Sequence, residues 1–281
     1  MKTVQTIKEL ISIMDNYQDK LIGFVPTMGY LHEGHQSLLI KARQDNDVVV
    51  ASIFVNPAQF GPNEDLDRYP RDLAHDTALA KEAGVDILFV PTAEEMYPFE
   101  SGITLHAGEL STKLCGATRP GHFDGVLKVI TKLFHLVKPT SAYFGQKDAQ
   151  QLAIIETFVN AYNFPVKIVR IPTIREIDGL AKSSRNVFLS EKERAEAVHL
   201  FKALTLATDI WKDTKNIEEA LIKGKAHIEK NTTGKIDYFE ALSYPNLQAV
   251  SNQVDHVLFA TAVFFEKARL IDNIIVDVKE V

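Results

Sequence analysis

Val4, Ile7, Leu10, Ile11 and Met14 recur at helical spacing and predict a helix at the start of the chain. The apolar run "LIGFVP" (21–26), ended by proline, reads as a strand, and His35 to about Asn46 reads as a helix. The strand "DVVVASIFV" (47–55) follows, then a loop, "NPAQFGPNEDLDRYPR", with three prolines and a glycine among polar residues. A helix over about 72–83 leads to the strand "VDILFVP". Val126, Val129, Ile130, Leu133, Phe134 and Val137 trace one face of a long helix, and "SAYFG" (141–145) is the next strand. A helix over about 149–162 and the strand "VKIVRIP" (166–172) complete the run. Strands that are continuous apolar segments between helices predict an α/β fold whose parallel sheet is covered on both faces.

After Pro172 the pattern changes. "SEKERAEAVHLFKALTLATDIW" opens with Ser190 and Glu193 at capping-box spacing and continues as a long helix. A weaker helical pattern starts near Ile217, followed by apolar segments at 236–243, 256–265 and 269–278 without helices between them. Such closely spaced segments predict an antiparallel sheet. Residues 1–172 are therefore expected to form the first domain, and residues 173–281 a smaller α+β domain.

With 281 residues the chain accommodates one large domain or two smaller ones. The net charge of −6 argues against a nucleic-acid binder, which would show a basic face, but it says nothing of a single cleft. Cys115 is the only cysteine, which excludes an intrachain disulfide and a cysteine-based zinc site. The first residues carry charges throughout, and no apolar stretch is long enough to span a bilayer. A soluble, cytoplasmic protein with no membrane partner is the expectation.

The segment "PTMGYLHEGHQSLL" (26–39) places two histidines around a glycine where a strand passes into a helix. Open α/β sheets bind ligands at such junctions, where glycine admits close approach and the helix N-terminus favours anions. Gly29 to Gly34 has the glycine spacing of a P-loop, but His35-Gln36 replaces the Lys-Ser/Thr pair, so it is not one. The His32-x-x-His35 pair lacks an evident third metal ligand, and the metal remains unassigned. An isolated pair of this kind is as readily a helix cap. "FGQKDAQQ" (144–151) repeats the arrangement, with Gly145 at a strand end and Lys147 and Asp148 ahead of a helix. The lysine suits phosphate oxygens and the carboxylate suits ribose hydroxyls. "GLAKSSRNVFLS" (179–190) adds Lys182, Ser183, Ser184 and Arg185, a set suited to a polyphosphate. Each cluster alone is an ordinary polar turn; three together point to a nucleoside triphosphate.

"PTMGYLHEGH", "FVNPAQFGPNEDLDRYPR", "RPGHFDGV", "FGQKDAQQL" and "DGLAKSSRN" occur in the order and spacing of the pantoate–β-alanine ligase family. The resemblance runs from about residue 20 to the terminal "ARLIDN". "LHEGH" resembles the HIGH signature of nucleotidylyltransferases, and "KSSR" its KMSKS counterpart. The resemblance implies a Rossmann-like doubly wound parallel sheet with a smaller C-terminal α+β domain. It also implies condensation of pantoate with β-alanine, driven by cleavage of ATP to AMP and pyrophosphate through a pantoyl adenylate. It carries over as ATP contacts Met28, Gly29, Tyr30, Leu31, His32, Glu33, Gly34 and His35. Gly145, Gln146, Lys147, Asp148, Ile174, Lys182, Ser183, Ser184 and Arg185 complete that set. His32, His35, Lys147, Ser183, Ser184 and Arg185 would neutralise charge growing on the phosphates. His35 matches the family's proton donor, and the sequence leaves open whether it donates a proton or stabilises charge.

Gln59 and Gln151 match pantoate-binding glutamines, Gln59 also lying near β-alanine; Asn56 and Arg119 are supporting contacts. Met28, Phe60 and Val126 are candidates for the wall facing pantoate's methyls, and the loop at 56–71 for a cover that excludes water. Mg²⁺ is expected with ATP, and the family suggests a homodimer. Gln146 replaces a frequent glutamate, and Lys182 a frequent Met or Leu, which adds a cation beside the serines. The alternative reading is a nucleotidylyltransferase that leaves AMP on its acceptor. A nucleotide sensor without catalysis and a tRNA-charging fragment fit less well: the first ignores the dense cations and histidines, the second lacks a basic extension.

Overall fold

The structure is a computed structural model that describes every residue except Asn63, Asn252 and Val281. Strands β1 (Lys2–Val4), β2 (Ile22–Thr27), β3 (Val48–Ile53), β4 (Ile87–Phe89), β5 (Ser141–Gly145) and β6 (Lys167–Ile171) form a parallel sheet. Their order is β1-β4-β3-β2-β5-β6. Between them run α1 (Ile7–Met14), α2 (Glu33–Asp45), α3 (Leu73–Glu82), α4 (Ala93–Met96), α5 (Leu114–Thr118) and α6 (His122–Val137), with α7 (Ala149–Ala161) linking β5 to β6. Successive strand residues enter opposite cores. Phe24, Val50 and Phe89 join Ile130 and Phe134 of α6 on one side. Val25, Val49, Leu88 and Tyr143 meet Leu39 and Ala42 of α2 on the other. Burial on both faces is why these strands lack polar alternation.

The chain steps outward from β2 to β3 and β4, then crosses to the other flank of β2 for β5 and β6. The order therefore reverses between β2 and β5, which pair at Gly23–Ser141 and Phe24–Ala142. In a doubly wound sheet, the crevice beyond the carboxyl ends of two such strands receives the ligand.

After β6 come α8 (Glu191–Thr214), α9 (Ile217–Asn231) and an antiparallel sheet of β7 (Lys235–Tyr244), β8 (His256–Phe264) and β9 (Arg269–Asp277). The capping box forms as its spacing predicts: Ser190 Oγ accepts the Glu193 N–H at 3.3 Å, and the Glu193 carboxylate accepts the Ser190 N–H at 2.9 Å. Trp211, Phe239 and Phe259 anchor the core between these helices and the sheet. At the seam with the first sheet, Cys115 Sγ lies 3.3 Å from Tyr238 Oη, and Arg269 pairs with Asp237 at 2.6 Å.

Val4, assigned to the first helix by its spacing, instead ends β1 and pairs with Phe89. Three residues are too few to display a period of two. α4 and α5 are likewise too short for apolar periodicity to predict them. No helix of the described residues is long and apolar enough to cross a membrane.

Candidate active site

β2 turns into α2 through Gly29 and Tyr30, both left-handed at φ 87° and 52°. A Cβ on Gly29 would meet Asp76 Oδ2 and Ile53 Cγ2, each at 2.9 Å, so only glycine fits. Asp76 of α3, fully buried, fixes the turn: Oδ2 accepts the Tyr30 N–H at 2.8 Å and Oδ1 the Leu31 N–H at 2.6 Å. Burial raises this carboxyl above its ordinary range in spite of the two N–H groups. His75 Nε2 meets the Leu31 carbonyl at 3.0 Å and holds the same turn from the other side.

His32 caps α2. Its Nδ1 accepts the Gly34 N–H at 3.1 Å, and His35 Nδ1 accepts the His32 N–H at 3.2 Å. A nitrogen that accepts carries no proton, so each neutral ring is protonated on Nε2. The rings tilt by 45° with centroids 4.1 Å apart, and both line the cleft. Burial, followed by Lys147, lowers His32 to about 4. Burial, followed by His32 and Lys147, holds His35 well below its ordinary value. The pair is thus a helix cap through Nδ1 and a source of two uncharged N–H donors through Nε2.

The turn after β5 carries Lys147 and Asp148, whose Nζ and Oδ2 are 3.5 Å apart. Burial would raise Asp148, but Lys147 and Arg185 hold it below the ordinary carboxylate range. The segment after β6 supplies Ile174 and residues 182–185 to the same cleft. Ser183 Oγ accepts the Arg185 N–H at 3.3 Å, and Ser184 Oγ donates to the Tyr30 carbonyl at 3.3 Å. Arg185 holds the Asp65 carboxylate through Nε at 2.9 Å and Nη2 at 3.1 Å. Lys182 is not a free cation beside the serines: its Nζ lies 2.8 Å from Glu176 and 3.1 Å from Glu33. Those two carboxylates raise its pKa and offset its charge.

Asn56 and Gln59, both buried, line the same cleft: Asn56 Nδ2 donates to Gln59 Oε1 and to the Gly125 carbonyl, each at 3.1 Å, while Asn56 Oδ1 accepts the Tyr97 hydroxyl at 2.8 Å. Asn56 therefore spends its hydrogen bonds on the protein and orients Gln59. Gln59 Nε2 lies 3.2 Å from Met28 Sδ. A Cβ at Gly125 would meet the Ala58 carbonyl oxygen at 2.1 Å, so glycine lets α6 start against this loop. Met28, Val126, Val129, Ile130 and Leu133 contribute apolar lining to the cleft, with Gln59 and Gln151 among its polar groups. The cleft measures about 200 Å³. A second cavity of about 330 Å³ shares Lys147, Asp148, Gln151, Ser183 and Arg185 with it.

Arg119 lines this second cavity and not the first. It grips Glu64, through Nε at 2.9 Å and through Nη2, and its Nη1 donates to His122 Nε2 at 3.1 Å. His122 Nδ1–H donates to the Gln59 carbonyl at 2.7 Å, so Arg119 reaches Gln59 through His122. Burial, followed by Arg119, pushes His122 down to about 4. Phe60 packs edge-on against Tyr69 at 6.2 Å and stays outside the lining of the first cleft. Gly29, Tyr30, Leu31, Glu33 and Gln146 also stay outside that lining; Gly29 and Tyr30 form the turn from β2 to α2, and Glu33 pairs with Lys182. Tyr69 lines the cleft, and His122 and Asp76 brace it, although no sequence pattern singles them out. Tyr69 and His122 lie inside the quoted "FVNPAQFGPNEDLDRYPR" and "RPGHFDGV", whereas Asp76 reaches Leu31 across 45 residues and leaves no local signal.

The family model described as pantoate-beta-alanine ligase matches residues 1–275. The pantothenate synthetase of Lysinibacillus sphaericus (strain C3-41) is 58% identical over 282 residues, covering 100% of this chain and 99% of the relative. The crystal structure of pantothenate synthetase from Thermus thermophilus superposes with a TM-score of 0.92 at 46% identity, covering 98% of this chain and 99% of that one. The pantoate-β-alanine ligase of Francisella tularensis, solved with beta-gamma ATP and β-alanine, gives a TM-score of 0.81 at 36% identity, covering 98% and 97%. Matched over nearly its whole length in sequence and in fold, the chain belongs to the pantoate–β-alanine ligase family.

Proposed function

We propose that this chain condenses (R)-pantoate with β-alanine to give pantothenate, a precursor for coenzyme A synthesis, with ATP cleaved to AMP and pyrophosphate. The observation that carries the reading is the chemistry that one cleft combines. Half-buried donors for a polyphosphate, His32, His35, Lys147, Ser183 and Arg185, share its lining with buried Val126, Val129, Ile130 and Leu133 and with the amides of Gln59 and Gln151. A carboxylate carrying hydroxyls and a gem-dimethyl group suits the apolar side chains and amides together, since an amide both donates and accepts without adding charge.

In the first step a pantoate carboxylate oxygen attacks the α-phosphorus in line; a P–O bond forms and the bond to pyrophosphate breaks. No protein nucleophile is needed, only alignment and charge stabilisation. Lys147 and Arg185 supply positive charge, and the Nε2–H groups of His32 and His35 supply donors that require no imidazolium. In the second step the amine of β-alanine attacks the acyl carbon; a C–N bond forms and AMP leaves. Gln59 and Gln151 hold pantoate, Asn56 and Arg119 position Gln59, and the 56–71 loop keeps water from the acyl adenylate.

Mg²⁺ arrives with ATP in this reading. Asp148 is the only carboxylate lining the cleft among the described residues, a donor set that fits a cation held mainly by phosphate oxygens and water. A cytoplasmic homodimer is proposed from the family resemblance, and light scattering on the purified protein tests the dimer.

The enzyme should exchange labelled pyrophosphate into ATP when pantoate is present and β-alanine absent. Adding β-alanine should yield pantothenate and AMP in equal amounts, with oxygen-18 from pantoate's carboxylate appearing in AMP. Label confined to pantothenate would eliminate the adenylate route. AMP retained on pantoate in the presence of β-alanine would favour the nucleotidylyltransferase alternative.

A further inference from the structure

The closing motif "ARLIDN" (268–273) belongs to the second sheet, and its last residue reaches into the first domain. Asn273, 7% exposed, places Nδ2 2.9 Å from the Gln146 carbonyl and 2.9 Å from the Lys147 carbonyl. These are successive carbonyls of the short turn from β5 to α7, the turn that presents Lys147 to the cleft. Asp272 anchors the donor. Its carboxylate takes Arg175 Nη1 at 2.6 Å and Nη2 at 2.9 Å, and its Oδ1 also accepts the Asn273 N–H at 2.8 Å. Arg175 in turn donates to the Gly179 carbonyl at 3.1 Å, which ties the segment leading to Lys182 to the same point.

A single 3₁₀ turn has little internal hydrogen bonding to fix it. A primary amide carries two N–H donors on one nitrogen and can hold two carbonyls at once; a carboxylate of the same shape has neither. We infer that Asn273 is a positioning residue for Lys147, setting the turn from across the seam so that the ammonium meets the reacting phosphate. The inference rests on the role proposed above for Lys147. It gives the second sheet a direct part in the first chemical step.

The test is pantoate-dependent pyrophosphate exchange by the unaltered enzyme, Asn273→Asp, Lys147→Ala and the double variant. Asn273→Asp removes both donors at constant volume and should lower the exchange rate by roughly 10- to 10²-fold, the scale of a misplaced catalytic group. In the Lys147→Ala background the same change should alter the rate by less than about 2-fold, because the group being positioned is gone. Asn273→Ala supplies a second donor-free variant, and thermal melting identifies any variant that fails to fold. A merely structural role for Asn273 would lower the rate by equal factors in both backgrounds, and that additive result would overturn the inference. Failure of the unaltered enzyme to exchange would instead overturn the adenylation reading, and this inference with it, before any substitution is compared.

Discussion

The main-chain N–H of His32 donates to Nδ1 of His35 at 3.2 Å, which leaves the His35 ring protonated on Nε2 and uncharged. The sequence leaves two roles open for His35. The geometry favours a neutral hydrogen-bond donor, because an imidazolium would need a second proton on the nitrogen that accepts this bond.

The pH dependence of kcat/KM for ATP distinguishes the two. A neutral His35 is already in its working form above its lowered pKa, so activity should hold as pH rises through 6.5 and fall only on the acid side. Loss of activity on the alkaline side with an apparent pKa near 6.5 would identify an imidazolium requirement instead. His35→Ala should lower kcat by roughly 10²–10³-fold, the scale of a lost charge-stabilising donor.

Stability should follow the same protons. His32 and His122 titrate near 4 in the folded protein, below the ordinary 6.5. The unfolded chain therefore binds more protons across that window. The stabilisation is complete above 6.5 and is lost as pH falls toward 4. The melting temperature should drop between pH 7 and 5. His122→Asn, which cannot titrate, should make the drop shallower; an unchanged slope would show that His122 takes up its proton equally in the folded and the unfolded chain.

Asp76→Asn replaces one of two acceptor oxygens with a donor facing a main-chain N–H. Leaving Tyr30 or Leu31 unpaired should cost about 1–3 kcal/mol. The turn into α2 should loosen as well, raising KM for ATP. Denaturant unfolding with an unchanged midpoint would show that the carboxylate does not hold this turn.

Gln59→Glu places an anion where pantoate's carboxylate must come. Calorimetry should show weaker pantoate binding with ATP binding preserved, since like charges at close range repel. Unchanged pantoate affinity would remove Gln59 from the pantoate site.

The strand–helix alternation is legible because β2, β3 and β5 are buried on both faces and leave unbroken apolar runs. β1 escapes because a three-residue strand has no measurable period, and Val4 borrows the rhythm of the helix after it. The residues lining the cleft are legible where they cluster in sequence, as in His32–His35 and Lys182–Arg185. Their partners are not. Glu176 and Glu33 offset Lys182, and His122 stands between Arg119 and Gln59, through contacts that the fold creates and no local spacing announces. The helix-cap and cleft-lining readings of the histidine pair exclude each other only while the two ring nitrogens are not told apart.

Cys115 is the only thiol in the chain, buried at the seam where Sγ lies 3.3 Å from Tyr238 Oη. The same thiol also lines the second cavity, together with Lys147, Asp148 and Arg185. A thiol reagent can react once per chain, so its uptake reports access to that cavity from a point on the seam. Slower modification with ATP and pantoate present would show that the bound substrates restrict the way in.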